Sequence, residues 1–518
     1  MACFFYLMCI GTVVQPIARL SENYSKIRET AYCFSSYICT VEYYNIMNMK
    51  RFLLSLITML GSLPMLAQGW PSQYEGVMLQ GFYWDGYVDA QWSILERQSD
   101  NLATTFDLVW IPQSANCGGQ SMGYDDLYWF SNYNSSFGTA EELKSMIATF
   151  KAKGIGTIAD IVINHRNNKS SWTDFYPDNF GSYGSFQLTQ SHICSGDEAF
   201  TSSSSPAKGS TTHGAADTGN NDGGCRDLDH TSVYVQNWAK AYVQWMLNVM
   251  KYDGFRYDMT LGYHGQYLKM YNEASRPYIS VSELWDGIAR QKRHLQECDS
   301  NTMIFDFQQK YQLREAIVGG SYGKLKKNTN SFRGQGLERY AVTFVDNHDT
   351  FDRGSTYGNN QFTPSTDLSL EVSKRYVMQA YAYLMAMPGI PCVFYPHWAS
   401  YKEEISELIA IRKRVGIHSE SVVLEETSGQ YQYSATVQGH RGRVIVRVGK
   451  NRSQDVPEGY ELAAEGGEKG AYSVYVCMGA LGVENPALKV KGTKFVRNGK
   501  LYIQVGEQVY DITGNKIQ

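Results

Sequence analysis

The clearest chemical pattern in the sequence is an Arg and an Asp placed two positions apart within a short aromatic stretch. The stretch is Gly254-Phe255-Arg256-Tyr257-Asp258-Met259-Thr260. Side chains two residues apart in a β-strand point to the same face, so Arg256 and Asp258 are expected to share one surface. A buried structural ion pair would give the same pattern. The other polar motifs of the sequence decide whether Arg256 and Asp258 form a structural ion pair or part of a catalytic site.

Three other apolar stretches also end in polar groups. They are Asp160 to His165, the stretch ending at Glu283 before Trp285, and Phe344 to Asp349. If these stretches are strands of one parallel barrel, their carboxyl ends meet at the face where such barrels place their active sites. Asp258, Glu283 and Asp349 would then lie around one opening, an arrangement that an ordinary barrel interior would not contain.

Paired carboxylates of this kind suit glycoside cleavage. One carboxylate attacks or stabilises the anomeric carbon, and the other protonates the leaving oxygen. Arg256 is expected to keep Asp258 ionised, which suits a nucleophile. Glu283 lies in apolar surroundings, which suits a group that acts first as the acid and then as the base of the reaction. His165 and His348 are expected to donate hydrogen bonds to hydroxyl groups, although each would also fit a His bonded within the fold.

The elements that must position these residues form a repeating pattern of apolar stretches and helical segments. Eight candidate strands are separated by amphipathic patterns such as Thr139 to Lys153, which begins with a capping residue and two acidic residues. This alternation predicts an α/β fold, a (β/α)8 barrel. The candidate strands are Val77 to Tyr83, Phe106 to Pro112, Ile155 to Asn164, Gly254 to Met259, Tyr278 to Glu283, Met303 to Phe307, Ala341 to Asn347 and Ile390 to Tyr395.

The pattern is interrupted once and then stops. After the third strand, residues 166–232 are rich in Ser, Gly, Asn and Asp, which indicates a long functional loop or a small inserted domain. Short alternating strands with Gly turns replace the helical pattern from residue 417 onward. We therefore predict a barrel over 70–165 and 233–416, an insertion over 166–232 and a C-terminal antiparallel β domain over 417–518.

The N-terminal region resembles an export signal rather than a folded element. Met47 to Arg51 is short and basic, Phe52 to Ala67 is uncharged and apolar, and small residues lead to Gly69. The apolar stretch is shorter than the ~20 residues that a membrane-spanning helix needs. We interpret 47–69 as a signal peptide of a secreted protein and 1–46 as an upstream extension without a role.

Charge and cysteine usage exclude other classes of function. A net charge of −4 and the absence of a Lys/Arg cluster argue against nucleic-acid binding. None of the cysteines is spaced as in a zinc site, and a Cys194–Cys225 bridge is compatible with export but cannot be assigned from sequence. Aromatic residues make up 14% of the chain, which suits sugar stacking without proving it.

The four polar motifs together resemble the conserved regions of the α-amylase family of glycoside hydrolases, over about Val77 to Ile417. The stretches Gln80 to Trp84, Phe344 to Thr350 and Pro388 to Tyr395 are most similar to plant-type members. The resemblance implies that Asp258 is the nucleophile, Glu283 the acid/base and Asp349 the transition-state stabiliser. It also implies a monomeric enzyme acting on an α-glucan, with substrate-binding residues Tyr124, Trp84, His165, Arg256 and His348.

The same resemblance implies that the insertion is a calcium-binding domain B. Its ligands would be Asn164, Asp217, the Asn220 carbonyl, Asp227 and the Gly262 carbonyl, an all-oxygen set that suits a hard cation. Asp222 is a candidate for a second ion. Leu261 departs from the family, since many members have a Lys there, and this leaves product length open. A transglycosylase, a non-catalytic starch-binding protein and a metal-dependent amidohydrolase remain the alternatives, although the first strand lacks the His-x-His motif of the last class.

Overall fold

Eight parallel strands close into a barrel in the computed structural model, which describes residues 72–221, 223–327, 330–351, 374–449, 455–466, 471–478, 492–497, 500–505 and 508–511. The barrel strands are β1 (Met78–Gln80), β2 (Leu108–Trp110), β3 (Gly156–Ile161), β4 (Gly254–Tyr257), β5 (Ile279–Ser282), β6 (Met303–Phe305), β7 (Ala341–Phe344) and β8 (Ile390–Phe394). Strand β1 pairs with β2 on one side and with β8 on the other, which closes the sheet. The predicted barrel is confirmed, with every strand shorter than its apolar stretch.

Helices follow the strands as the alternating pattern predicts. Those around the barrel are Trp92–Arg97, Ser99–Thr105, Ala140–Ala152, Val233–Asn248, Gly265–Ser275, Ile288–Glu297, Phe307–Ile317, Lys374–Ala386, Tyr395–Ser400 and Lys402–Val415. Shorter helical turns are Gly86–Val88, Gly181–Tyr183, Gln190–His192, Glu198–Thr201, Tyr322–Leu325, Phe332–Gln335 and Glu338–Tyr340. The Thr139 hydroxyl accepts from the Glu142 amide and the Glu142 carboxylate accepts from the Thr139 amide, so the helix begins with a capping box.

Two residues assigned to strands from their apolar character instead begin helices. The Asp306 carboxylate accepts a hydrogen bond from the Gln309 amide at 3.0 Å, which caps the helix that starts at Phe307. Tyr395 starts a helix with Pro396 in its first turn, where the missing N–H of proline has no consequence. A capping carboxylate after β6 and a first-turn proline after β8 therefore override apolar character at the ends of these strands.

The insertion after β3 is built mainly from turns and very short strands. His165–Arg166 pairs with Arg226–Asp227, and Asp178–Asn179 pairs with Ser185–Phe186, both antiparallel. Arg166 and Asp178 form an ion pair of 2.6 Å whose side chains are both fully buried. Cys194 and Cys225 are both buried, and no disulfide joins them in the described part of the chain.

The C-terminal region forms antiparallel sheets, as predicted. One sheet has five strands. Their spatial order is Val422–Ser428, Gln432–Gln438, Arg443–Gly449, Tyr472–Cys477 and Glu461–Gly466. A second sheet contains Gly492–Arg497, Lys500–Val505 and Gln508–Asp511. The first sheet packs on the barrel helix Lys374–Ala386, where the rings of Tyr383 and Tyr433 lie 5.5 Å apart.

Several predictions lie outside the described residues. These are the upstream extension 1–46, the signal peptide 47–69 and Asp222. The domain limits themselves stay predictions. None of the described helices combines the length and the apolar character needed to span a bilayer.

Candidate active site

Arg256 lies at the centre of the polar cluster at the carboxyl end of the barrel. Its Nη1 is 2.8 Å from Asp160 Oδ1 and 2.6 Å from Asp258 Oδ1, and its Nη2 is 2.9 Å from Glu283 Oε2. The guanidinium lies 5.0 Å from the centre of the Trp110 ring, and the residue is 1% exposed. Arg256 and Asp258 do share one face, but the ion pair expected from sequence is part of a group of three carboxylates around one cation.

Backbone register delivers these side chains to one place. Asp160 and Arg256 are direct neighbours in the β3–β4 pairing. The ladder continues past the strand ends, because the Asp258 amide donates to Ile161 O at 3.0 Å and the Glu283 amide donates to Tyr257 O at 2.9 Å. Both proposed catalytic carboxylates are therefore fixed by sheet hydrogen bonds rather than by a free loop.

Met259 follows Asp258 in a conformation that is uncommon for a residue with a side chain. Its φ of 44° lies in the left-handed region. This conformation turns the Met259 amide toward Glu283, whose Oε2 accepts its hydrogen bond at 3.0 Å. Local backbone strain thus contributes directly to the placement of the Glu283 carboxylate.

The loop after β7 supplies Asp349 and His348. Gln80 Nε2, on β1, lies 3.0 Å from His348 Nδ1, and His348 Nε2 lies 3.3 Å from Asp349 Oδ2. An amide donor at Nδ1 leaves the imidazole proton on Nε2, which then points toward the Asp349 carboxylate. Asp349 remains 23% exposed at its side chain, so it faces the opening.

Tyr124 and Trp84 form an aromatic wall beside the carboxylates. The Tyr124 ring stacks on His348 with centroids 5.3 Å apart and planes 17° apart, and its hydroxyl donates to Asp160 Oδ2 at 2.7 Å. The Trp84 ring lies 5.6 Å from Tyr124. Gly123 has a φ of 83°, and a Cβ there would lie 2.2 Å from Gln113 Nε2, so the turn that presents Tyr124 requires glycine.

His165 makes its contacts within the protein. Its Nε2 lies 2.9 Å from Tyr124 O, and its Nδ1 lies 3.3 Å from Asn164 Nδ2. A bond from His165 to a sugar hydroxyl, as expected from sequence, would require one of these contacts to open. In this structure His165 supports the backbone of the aromatic wall.

Burial and mutual repulsion raise the pKa values of the clustered carboxyl groups. The pKa of Asp258 lies well above its ordinary range, and burial is the largest cause. The charges of Glu283 and Asp160 add to this rise, whereas Arg256 opposes it. Burial and then the nearby Glu283 raise the pKa of Asp349 to about 7. Arg256 lowers the pKa of Asp258, in the direction expected from sequence, but burial and the neighbouring Glu283 and Asp160 carboxylates outweigh its effect.

The residues predicted to bind calcium converge between the insertion and β4. Asn164 Nδ2 lies 3.4 Å from Asp227 Oδ1, and a Cβ on Gly262 would lie 1.9 Å from Asn164 Oδ1, so this backbone passes directly against the Asn164 amide. The Asn220 amide donates to Leu261 O at 2.9 Å, which ties the insertion to the segment containing Gly262.

Asp217 provides the test of whether this group of residues fits a cation. One of its oxygens accepts from the Gly219 amide at 3.0 Å, whereas Oδ2 is buried with no hydrogen-bond partner among the described residues. Burial raises the pKa of Asp217. A buried acceptor without a donor fits an oxygen-ligated cation. Within the described ranges, however, no three His, Cys, Asp or Glu side chains are grouped to hold a metal, so the site would depend on amide and carbonyl oxygens.

Asp160 and Gln80 are site residues that the sequence analysis quoted within motifs but gave no role. Asp160 lies on β3 directly opposite Arg256 on β4, so strand pairing would have placed it beside the guanidinium. Gln80 ends β1 with a buried polar side chain, which is a signal of a site residue in a barrel interior.

Comparisons with known proteins show that the chain is similar to α-amylases. The α-amylase catalytic-domain family matches residues 106–263. Probable α-amylase 2 of Arabidopsis thaliana is 31% identical over 385 residues, which is 70% of this chain and 86% of that protein. The chloroplastic α-amylase 3 of Arabidopsis thaliana is 29% identical over 77% of this chain, and the match spans only 44% of that longer protein.

Solved structures support the fold. An α-amylase from Anoxybacillus superposes with a TM-score of 0.54 over 80% of this chain and 100% of that one, at 14% identity. An α-amylase from Geobacillus thermoleovorans, complexed with acarbose, gives a TM-score of 0.56 over 78% of this chain and 99% of that one, at 13% identity. At these identities the likeness concerns the fold alone.

Proposed function

Because the chain belongs to the α-amylase family of glycoside hydrolases, we propose that it is a retaining, endo-acting α-amylase. Its substrates would be the internal α-1,4-glucosidic bonds of starch, glycogen and malto-oligosaccharides. The observation that carries the proposal is the convergence of Asp258 and Glu283 on Arg256 at the carboxyl end of the barrel, with Asp349 beside His348 in the loop after β7. This is the face on which barrel enzymes carry out their chemistry.

In the proposed reaction, Asp258 attacks the anomeric carbon while Glu283 protonates the leaving glycosidic oxygen. Glu283 then removes a proton from water, which attacks the glycosyl-enzyme ester and releases the product with retained configuration. Asp349 stabilises the positive charge that develops on the sugar ring. His348 holds Asp349 beside the ring, and Trp84 and Tyr124 offer aromatic surface for stacking.

The shared guanidinium supports retention rather than inversion. Retaining enzymes place their two carboxyl groups about 5–5.5 Å apart, and inverting enzymes about 6.5–9.5 Å apart to admit a water molecule. Asp258 and Glu283 are each bound to the same Arg256 group, at 2.6 and 2.9 Å. Two carboxylates bonded to one guanidinium lie close together, which favours the shorter separation found in retaining enzymes.

We further propose that calcium ties the insertion to the barrel. Asn164, Asp217, Asp227 and the carbonyls of Asn220 and Gly262 would hold it, and the buried, unpartnered Asp217 Oδ2 supports this assignment. The ion would supply a positive charge that stabilises buried oxygens. It would take no part in bond cleavage.

Export and a monomeric state complete the proposal. The basic and apolar pattern of residues 47–69 supports secretion. The charge of the chain, −4, offers no basic surface for nucleic acid, so the expected partner is the α-glucan itself.

The proposal is tested with two substitutions and a matched control. Asp258→Asn and Glu283→Gln should each lower hydrolysis of maltoheptaose by at least about 10²–10⁴-fold, since each removes a group that acts in the transition state. Asp253→Asn should retain activity, because Asp253 lies at the opposite end of β4 and bonds the Thr157 amide. Full activity in either catalytic variant would refute the assignment.

Chromatography of the same digests separates the alternatives. Products longer than maltoheptaose would identify a transglycosylase, and the complete absence of new reducing ends would identify a binding protein. A mixture of shorter products from the middle of the chain is the expected result.

A further inference from the structure

We propose that Lys310 is a positioning residue that holds the loop of residues 346–350, and with it Asp349 and His348, in the catalytic geometry. Lys310 lies on the helix Phe307–Ile317, which follows β6. The inference rests on the proposed function, because it assigns a cause to the placement of the proposed stabiliser Asp349.

Lys310 is buried in a way that requires a specific partner. Its Nζ lies 2.5 Å from Asp346 Oδ1, and neither side chain has any exposed surface. A buried ammonium or carboxylate is strongly unfavourable unless it is paired and hydrogen-bonded. The position of Asp346, the residue two beyond the end of β7, is therefore coupled to the helix that carries Lys310.

Asp346 in turn anchors both ends of the catalytic loop. Its Oδ1 accepts a hydrogen bond from the Thr350 hydroxyl at 3.2 Å, and Thr350 Oγ1 accepts from the Asn347 amide at 3.0 Å. Asn347 Oδ1 accepts from the amides of Asp349 and Thr350, at 3.1 and 2.9 Å. The five residues form one interlocked turn, so moving Asp346 moves the turn as a unit.

The β8 side of the barrel supports the same carboxylate. His397 Nε2 lies 3.7 Å from Asp346 Oδ2, and His397 Nδ1 lies 3.0 Å from the Tyr381 hydroxyl. The Tyr381 oxygen accepts from the Phe394 amide at 3.1 Å. Asp346, at the start of the loop, thus lies between a cation from the β6 unit, to which it is bonded, and an imidazole from the β8 unit 3.7 Å away.

The Lys310–Asp346 ion pair fixes the geometry of the loop without adding net stability to the fold. Replacing both members of a buried ion pair with uncharged groups of similar volume is often neutral or stabilising. In contrast, displacing a catalytic group by about 1 Å can lower the rate roughly 10²-fold. If the Lys310–Asp346 pair fixes the position of Asp349, its removal should therefore lower kcat even in a variant whose fold is fully stable.

The test compares three variants of the full chain with the wild type. Lys310→Met removes the cation, and Lys310→Met/Asp346→Asn removes both charges so that no unpaired ion remains. Arg412→Met is the matched control, since Arg412 is another buried cation but bonds the carbonyls of Met385, Met387 and Gly389, the last of which directly precedes β8 at its amino end. The values of kcat and KM for maltoheptaose are measured at the same interval below the Tm of each protein.

Lys310→Met is expected to lower kcat on the order of 10²-fold with KM changed less than about threefold, because Asp349 acts in the transition state. The double variant should regain a Tm near that of the wild type and keep the low kcat. Arg412→Met should have a lower Tm than the wild type and an unchanged kcat. This combination separates positioning from general stability.

A double variant with wild-type Tm and wild-type kcat would overturn the proposal, as would a Lys310→Met kcat equal to that of Arg412→Met. Failure of both Lys310 variants to fold would overturn it as well, since the pair would then be a requirement of the fold. Wild-type protein and Asp258→Asn are assayed in parallel. If the wild type does not hydrolyse maltoheptaose, the proposed function fails, and that result is distinct from a failure of the Lys310 assignment.

Discussion

Removing the Arg256 guanidinium should destabilise the protein in a way that depends on pH. Arg256→Met fills a similar volume but leaves Asp160, Asp258 and Glu283 without the cation that they contact at 2.8, 2.6 and 2.9 Å. Breaking a buried ion pair by removing one partner costs roughly 3–5 kcal/mol. At about 2 °C per kcal/mol for a large domain, the Tm should fall by about 6–10 °C near pH 7.

The sign of the pH dependence follows from the carboxyl groups. Without Arg256, whose charge opposes the rise in the pKa of Asp258 and Asp349, these pKa values move further above those of the unfolded chain. The folded state then binds more protons than the unfolded state, so its stability falls as pH rises. The Tm deficit of Arg256→Met should accordingly be smaller at pH 5, where the carboxyl groups are relieved by protonation, than at pH 7.

Thermal unfolding followed by circular dichroism at pH 5, 6 and 7 measures this deficit. Arg412→Met again serves as the control, because its carbonyl partners do not titrate and its deficit should be the same at each pH. Equal deficits for Arg256→Met at pH 5 and pH 7, or wild-type stability at pH 7, would refute the account of a cation shared among carboxylates.

Two further outcomes are expected. Asp160→Asn should move the acid limb of the kcat/KM profile to lower pH, because the Asp160 charge raises the pKa values of Asp258 and Asp349; an unmoved limb would contradict this coupling. Calcium at 100 times its Kd should stabilise the wild type by about 2.7 kcal/mol relative to chelator-treated protein. Gly262→Ala should lose this calcium-dependent stabilisation, because its Cβ would lie 1.9 Å from Asn164 Oδ1. A calcium-dependent rise in Tm equal to that of the wild type would show that the ion binds elsewhere.

The barrel and the location of the site could be predicted from sequence because both depend on local patterns. Apolar stretches alternating with helical periodicity define strands and helices, and polar residues just beyond several strands mark the carboxyl face. Arg256 and Asp258 share a face for the simple reason that they are two residues apart in β4. Strand lengths were overestimated where Phe307 and Tyr395 continue an apolar stretch but begin a helix.

What the sequence could not provide are quantities that depend on distances between separate elements. The pKa of Asp258 reflects Asp160 from β3 and Glu283 from beyond β5 as well as its neighbour Arg256, and a linear motif shows only the last of these. Lys310 lies in a helix whose residues Gln308 to Gln312 are mostly polar, so it resembles a surface lysine. Its burial depends on Asp346 from the next barrel unit. The internal contacts of His165 likewise depend on the Tyr124 carbonyl, 41 residues away.

The central claim, that Asp258 forms a covalent bond to the sugar, is tested most directly by trapping the intermediate. Glu283→Gln is incubated with an α-maltosyl fluoride, whose leaving group needs no acid, and peptides are analysed by mass spectrometry. The account predicts a maltosyl adduct on the peptide at Asp258 and release of product as the α-anomer. An adduct on another residue, or release of the β-anomer without any adduct, would contradict it.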